Sequence, residues 1–239
     1  MSATNQVYLI DAGNTHIKLA LVQNGVIQQV ERLEQAKFNI NLLDRNIPAA
    51  CSSVLDEKLL LDIRTYFSQV SEITSHMDLP FEMVYQTPQT LGMDRLCNAA
   101  ALAMKNTGVP RLAIDLGTCI KFDFLSANNQ YLGGSIAPGL AMRARAMAQF
   151  TSKLKQIDVV PTQKLIGSSS EESLQIGAFV GWQREIEGMI QAYLQQYPDL
   201  VVYLTGGDAP YFELGQKNGI FVQQNLTLEG IFALYQANA

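Results

Sequence analysis

Alternation of apolar and polar residues opens the chain and stops abruptly at a carboxylate. Residues 7–10 predict a short buried strand, Asp11 ends it, and alternation resumes over 17–22 as a second strand. Between them lie Ala12, Gly13, Asn14 and Thr15, small or polar residues suited to a tight turn. Asn24-Gly25 is a strong hairpin signal and predicts a third strand from Val26. Residues 56–70 carry apolar positions at helical spacing, which predicts a surface helix. The Ala, Leu and Met content of 93–106 predicts another helix, ended by Gly108 and Pro110.

The pattern then repeats. Residues 112–114 predict a strand, Asp115-Leu116-Gly117-Thr118 follows, and after it come a strand, a turn at Ala127-Asn128-Asn129 and another strand. Asp11 and Asp115 stand at the same place in the two copies, as do Gly13 and Gly117. One such repeat implies two similar half-domains, 1–108 and 109–239, each opening with a β-hairpin, rather than a solenoid. A helix is expected after Pro138, and a partly basic stretch covers 153–164. Residues 167–198 predict a long helix, with Ser169 and Glu172 as a capping box. Gly177 and Gly181 share a face of that helix, which predicts close approach of another element. Residues 200–205 predict a buried strand running into Gly206-Gly207, and a last helix is expected from Thr227.

Composition narrows the chemistry. The chain has 239 residues, 48% hydrophobic and 16% charged, enough for a sizeable core. A net charge of -5 argues against nucleic-acid binding, which needs clustered Lys and Arg. No apolar run reaches the roughly 20 residues that span a bilayer, and the polar N-terminus carries no signal peptide, so a cytoplasmic protein is expected. Cys51, Cys97 and Cys119 are widely spaced and suggest neither a disulfide framework nor a zinc site. With His16 and His76 the only histidines, a general base is expected to be a carboxylate.

A strand that ends in Asp-x-Gly delivers a carboxylate where α/β sheets place ligands. The glycine leaves backbone N–H groups open, able to cradle phosphate oxygens. The carboxylate would meet phosphate through a cation or a water. Either copy alone reads equally well as a plain turn. Two copies, with a third apolar strand ending in Thr205-Gly206-Gly207, match the actin/hexokinase/Hsp70-type ATPases. No Walker A sequence and no G-x-G-x-x-G after a strand competes.

Six motifs carry a closer resemblance: "DAGNTHIK", "LGMDRLCNAAA", "DLGTCIKFD", "YLGGSIAPGL", "IGSSSEESLQIG" and "TGGDAP". Their order resembles that of the type III pantothenate kinases over nearly the whole chain, excepting roughly 30–80 and the last dozen residues. The resemblance implies an α/β fold of two duplicated actin/hexokinase-like (ribonuclease H-like) half-domains with a cleft between them. It implies an ATP-dependent kinase that converts pantothenate to 4'-phosphopantothenate, the first step of coenzyme A synthesis, working as a homodimer with Mg²⁺ on the ATP.

By the same resemblance, Asp94 of Gly92-Met93-Asp94-Arg95 is the general base, and Arg95 holds substrate, through the pantothenate carboxylate. Tyr85 and Ser170 are the other substrate contacts; Ser170 stands where the family usually has threonine. Asp11, Ala12, Gly13, Asn14, Thr15, His16, Ile17 and Lys18 match the first phosphate loop, and Thr118 an ATP contact. Asp115 matches the aspartate that binds a monovalent cation, potassium or ammonium. Read without the resemblance, Asp94 is equally a helix cap, Arg95 a surface charge, Ser170 part of a Ser-rich helix start and Lys18 a solvated residue on a strand edge. Two departures stand out. Cys119-Ile120-Lys121 replaces a small, threonine-rich stretch, so Lys121 can itself supply positive charge and the cation requirement is open. Asp208 replaces an apolar residue. The competing readings are a catalytically silent, nucleotide-binding regulatory relative, and another small-metabolite kinase or phosphatase on this fold.

Overall fold

The computed structural model describes residues 6–13, 16–53, 57–212 and 219–239, so Asn14 and Thr15 lie outside the described residues. The chain divides into two compact units. One comprises Met1–Thr107, Asn129–Leu132 and Asn225–Ala239, the other Gly108–Asn128 and Gly133–Gln224.

In the first unit, β1 (Gln6–Ala12) pairs antiparallel with β2 (His16–Gln23), and β2 with β3 (Val26–Glu34). On its other side β1 pairs parallel with β4 (Ala49–Ser53), which leads to β5 (Val70–Glu72), so the order is β3-β2-β1-β4-β5. Asn24 and Gly25 have φ of 52° and 77°, the left-handed pair that a two-residue hairpin of this twist requires. Lys18 is therefore not on a strand edge: its strand is flanked on both sides, and its register partners are Asp11 and Arg32.

Helix α1 (Glu57–Tyr66) buries Ile63 beside Ile10, Ile17, Leu19, Cys51 and Phe67. Helix α2 (Met93–Ala103) is buried from Arg95 onward, as its run of alanines allows. It packs on α5 (Leu226–Ala237), which also lies on β1 and β4. The α2–α5 approach is so close that a Cβ at Gly230 would stand 1.8 Å from the Cys97 carbonyl oxygen. Only glycine fits there.

The second unit repeats the topology. Its β7 (Arg111–Leu116) pairs antiparallel with β8 (Cys119–Leu125), next to which lies β9 (Gln130–Pro138). Its other neighbour is the parallel β10 (Val201–Thr205), followed by β11 (Ile220–Val222), giving β9-β8-β7-β10-β11. Helix α4 (Ser170–Gln196) buries Leu174, Ala178, Trp182, Ile186 and Ile190, every fourth residue, and the last three join the core of Leu112, Ile114, Phe122 and Leu204. The Arg143 side chain of α3 (Leu140–Gln149) pairs with Glu185 of α4.

Two expectations for α4 change. Among the described residues, no atom beyond the adjoining turns of the helix lies within 4 Å of a Cβ built at Gly177 or Gly181, and both are exposed, so no other described element approaches them. The capping box forms by half. Ser169 Oγ accepts the Glu172 N–H at 3.1 Å, but the Glu172 carboxylate turns to the Ser168 N–H at 2.8 Å and its hydroxyl at 2.7 Å. Lys164 Nζ holds its other oxygen at 2.8 Å. A charged partner and two donors on one residue outcompete the single N–H of Ser169.

Candidate active site

The first hairpin turn is drawn tight by the Gly13 N–H, which donates to the His16 carbonyl at 3.1 Å. The Gly13 carbonyl accepts from Gln35 Nε2 at 3.0 Å. Asp11 and Lys18 face each other across β1 and β2. The Ala12 and Ile17 side chains are buried in the core, so these positions present only backbone to a ligand. Burial, and after it the Arg32 guanidinium, pushes the His16 pKa down, which keeps the ring neutral at neutral pH.

A second group forms around the start of α2. Asp94 is half-buried, and its Oδ1 accepts the N–H of Arg95 at 2.8 Å. A Cβ at Gly92 would stand 2.7 Å from that oxygen, so the glycine makes room for the carboxylate. The Arg95 guanidinium lies over the Tyr85 ring, 5.9 Å from its centroid. Tyr85 is itself braced by Tyr131 at 5.9 Å, and Tyr131 by Phe81. The strand pair that supports them is β6 (Glu82–Met83) with Gln130 and Tyr131, the first residues of β9, which belong to this unit. Tyr85, Gly92, Met93, Asp94 and Arg95 are thus brought together.

Asp11 joins them through a residue that sequence reasoning passed over. Cys97 is fully buried in α2, and its thiol pKa is raised well above normal, chiefly by burial, then by the negative charge of Asp11, with Asp94 also contributing. The charges of both carboxylates thus reach one buried, neutral sulfur. Helical spacing from Asp94 puts Cys97 on the same face, which is the signal that could have found it.

In the second unit three motifs meet at the turn that follows one carboxylate. Asp115 is 8% exposed, and its Oδ2 pairs with Lys121 Nζ at 2.8 Å. Cβ atoms at Gly206 and Gly117 would stand 2.6 Å and 3.2 Å from its Oδ1. Gly206 has φ of 95°, and the Asp208 N–H donates to the Leu116 carbonyl at 2.9 Å, which locks that loop onto the end of β7. Gly139 donates to the Thr118 carbonyl at 3.2 Å, and a Cβ there would stand 2.3 Å from the Gly117 carbonyl. Gly139 was part of a recognised motif, but its bracing of the turn follows only from the packing. Thr118 is exposed at the turn, and Ser170 is exposed at the start of α4.

Among the described residues no three His, Cys, Asp or Glu side chains gather to hold a metal ion. A divalent ion here must draw most of its ligands from phosphate and water, as Mg²⁺ on a nucleotide does.

Two sheets of matching strand order, each with a strand–carboxylate–glycine hairpin, define an actin/hexokinase-like ATPase fold. A conserved Campylobacter jejuni protein, proposed to be a Baf family transcriptional activator, shares the fold with a TM-score of 0.54 at 17% identity, over 97% of each chain. The model of the type III pantothenate kinase family matches residues 7–192. The type III pantothenate kinase of Christiangramia forsetii is 35% identical over 238 residues, covering 96% of this chain and 98% of its own. That of Cytophaga hutchinsonii is 35% identical over 232 residues, with the same coverage of both chains. The chain belongs to the type III pantothenate kinase family.

Proposed function

We propose that this protein transfers the γ-phosphoryl group of ATP to the primary hydroxyl of pantothenate, giving 4'-phosphopantothenate and ADP for coenzyme A synthesis. The observation that carries the reading is the Asp94 group: a half-buried carboxylate beside a guanidinium that lies over an aromatic ring. Asp94 orients the hydroxyl and takes its proton as the new O–P bond forms and the bond to the β-phosphate oxygen breaks. Such a loose transfer needs orientation more than strong basicity. Arg95 binds the pantothenate carboxylate, for which a planar fork of donors is suited. Its position over Tyr85 limits where the fork can swing. Ser170 supplies a hydroxyl to substrate.

The Asp11 turn is one phosphate loop, with its backbone N–H groups and Lys18 toward the triphosphate. The Asp115 turn is the other, with Thr118 at its tip. Asp11 would hold the Mg²⁺ carried on ATP, directly or through water, and that ion would supply positive charge against the phosphates. The enzyme works as a cytoplasmic homodimer, with the exposed Gly177/Gly181 face of α4 as the candidate for helix packing between copies.

The test is ATP-dependent phosphorylation of pantothenate by purified protein, wild type against Asp94→Asn. Equal rates remove Asp94 as the base. No product from the wild type with Mg²⁺, whatever monovalent salt is present, removes the kinase reading and favours a regulatory relative.

A further inference from the structure

A monovalent cation is the group that the family resemblance attaches to Asp115, and the residues present do not fit it. Oδ2 of that carboxylate already carries the Lys121 ammonium at 2.8 Å. Both side chains are mostly enclosed, with 16% of Lys121 and 12% of Asp115 exposed. A potassium ion on this carboxylate would sit close to the ammonium. Two unit charges about 4 Å apart at an effective dielectric near 20 repel enough to weaken binding about a thousandfold.

The position of Lys121 is set by the sheet. It lies directly across the antiparallel pair from Asp115, as Lys18 lies across from Asp11. The second turn is one residue shorter, with Leu116 facing Ile120 where Ala12 faces Ile17. Counting strand register rather than turn residues makes Lys121 the counterpart of Lys18. An ammonium on a strand is always present, aims three donors and cannot diffuse away.

We propose that the Lys121 ammonium replaces the monovalent cation on Asp115, so that this enzyme works without added potassium or ammonium. The proposal rests on the kinase reading for its rate measurement, but its binding and stability measurements do not. Wild type and Lys121→Thr are compared in choline, potassium and ammonium chloride at equal ionic strength. Three readouts are taken: initial rate, ATP affinity and thermal midpoint.

Wild type is expected to differ by less than about twofold among the salts in rate and affinity, since any ion must displace a tethered charge. Lys121→Thr is expected to lose roughly tenfold or more in choline, the worth of a charge-assisted hydrogen bond. It should regain activity and affinity saturably with potassium or ammonium, and its thermal midpoint should rise with them while the wild-type midpoint does not. A saturable potassium response of the wild-type midpoint or ATP affinity overturns the proposal. So does a Lys121→Thr protein that binds ATP like wild type in choline, or one whose midpoint and affinity ignore every salt. A wild type that binds ATP but never phosphorylates pantothenate sinks the kinase reading alone, because the ATP-affinity and midpoint measurements still decide the cation question.

Discussion

The two units share a strand order, β3-β2-β1-β4-β5 in one and β9-β8-β7-β10-β11 in the other, yet they use it differently. In the first, the hairpin carboxylate Asp11 and a second carboxylate, Asp94, both act electrostatically on the buried Cys97 thiol. In the second, Asp115 is matched to one ammonium, and the glycines of two motifs, Gly117 and Gly206, leave room beside its other oxygen. On the proposed reading the first arrangement serves the reaction, while the second, whose carboxylate holds an ammonium at 2.8 Å, fixes a turn. One duplicated scaffold would then give one side for chemistry and one for static charge.

The largest expected effect breaks this contrast on the chemical side. Asp94→Asn should lower kcat by about 10²–10⁴ while the unfolding curve stays put, since a general base acts on the transition state. Next comes Gly230→Ala, whose methyl must push α5 away from the Cys97 carbonyl. It should destabilise the first unit by about 3 kcal/mol, read from urea denaturation. Asp115→Asn should cost about 2 kcal/mol of stability, because it leaves the Lys121 ammonium against an amide. A stability loss without Asp115 and a rate loss without Asp94 would sharpen the division; the reverse pattern would erase it.

pH separates the units further. Burial pushes the Cys51 thiol up to about 12 and Cys97 well above its ordinary value of 9.0. Unfolded, these thiols release protons near 9.0, whereas folded they keep them. Above that pH the folded state binds more protons, so stability falls as pH rises from 9.0 toward 12. Both lie in the first unit. At the acid end, the hydrogen bond from Lys164, with those from Ser168, holds Glu172 of the second unit down at about 2. Its contribution is present above 4.5 and lost as pH falls toward 2. Stability curves against pH for Cys51→Ala and Glu172→Gln should each flatten at their own end only. A curve flattened at the wrong end contradicts the assignment.

Two smaller effects finish the series. Gly177→Ala should raise stability by up to about 1 kcal/mol, since the position is open and helical. If it instead lowers the thermal midpoint and splits a dimer in light scattering, the α4 glycine face is the interface. Cys119, half-buried at the second turn, should alkylate before the buried Cys51 and Cys97, measured by mass spectrometry of the native protein.

Hairpins were legible because period-two alternation and Asn24-Gly25 are local signals, and so was α4 with its stripe at every fourth residue. The strands β4 (Ala49–Ser53) and β6 (Glu82–Met83) were not: small residues in one and two residues in the other leave no period to read. Within the site, the Gly92-Met93-Asp94-Arg95 stretch was readable as one group because α2 keeps it together. The link from Asp11 to Cys97 and the bracing of the Asp115 turn by Gly139 were not, since each joins residues distant in the chain. Lys121 stood out in the sequence because Cys119-Ile120-Lys121 replaces a small, threonine-rich stretch, but its place across from Asp115 follows only from the strand register.

The return of α5 to the first unit has a consequence for how the protein is made. Helix α2 leaves the ribosome with its apolar surface uncovered, and its cover, residues 225–239, is translated only after the whole second unit. The first unit cannot finish folding until residues 225–239 have emerged, whereas the second has all its described strands by Val222. Pulse-labelled nascent chains should therefore protect the later-encoded unit first, reversing the usual N-terminal-first order.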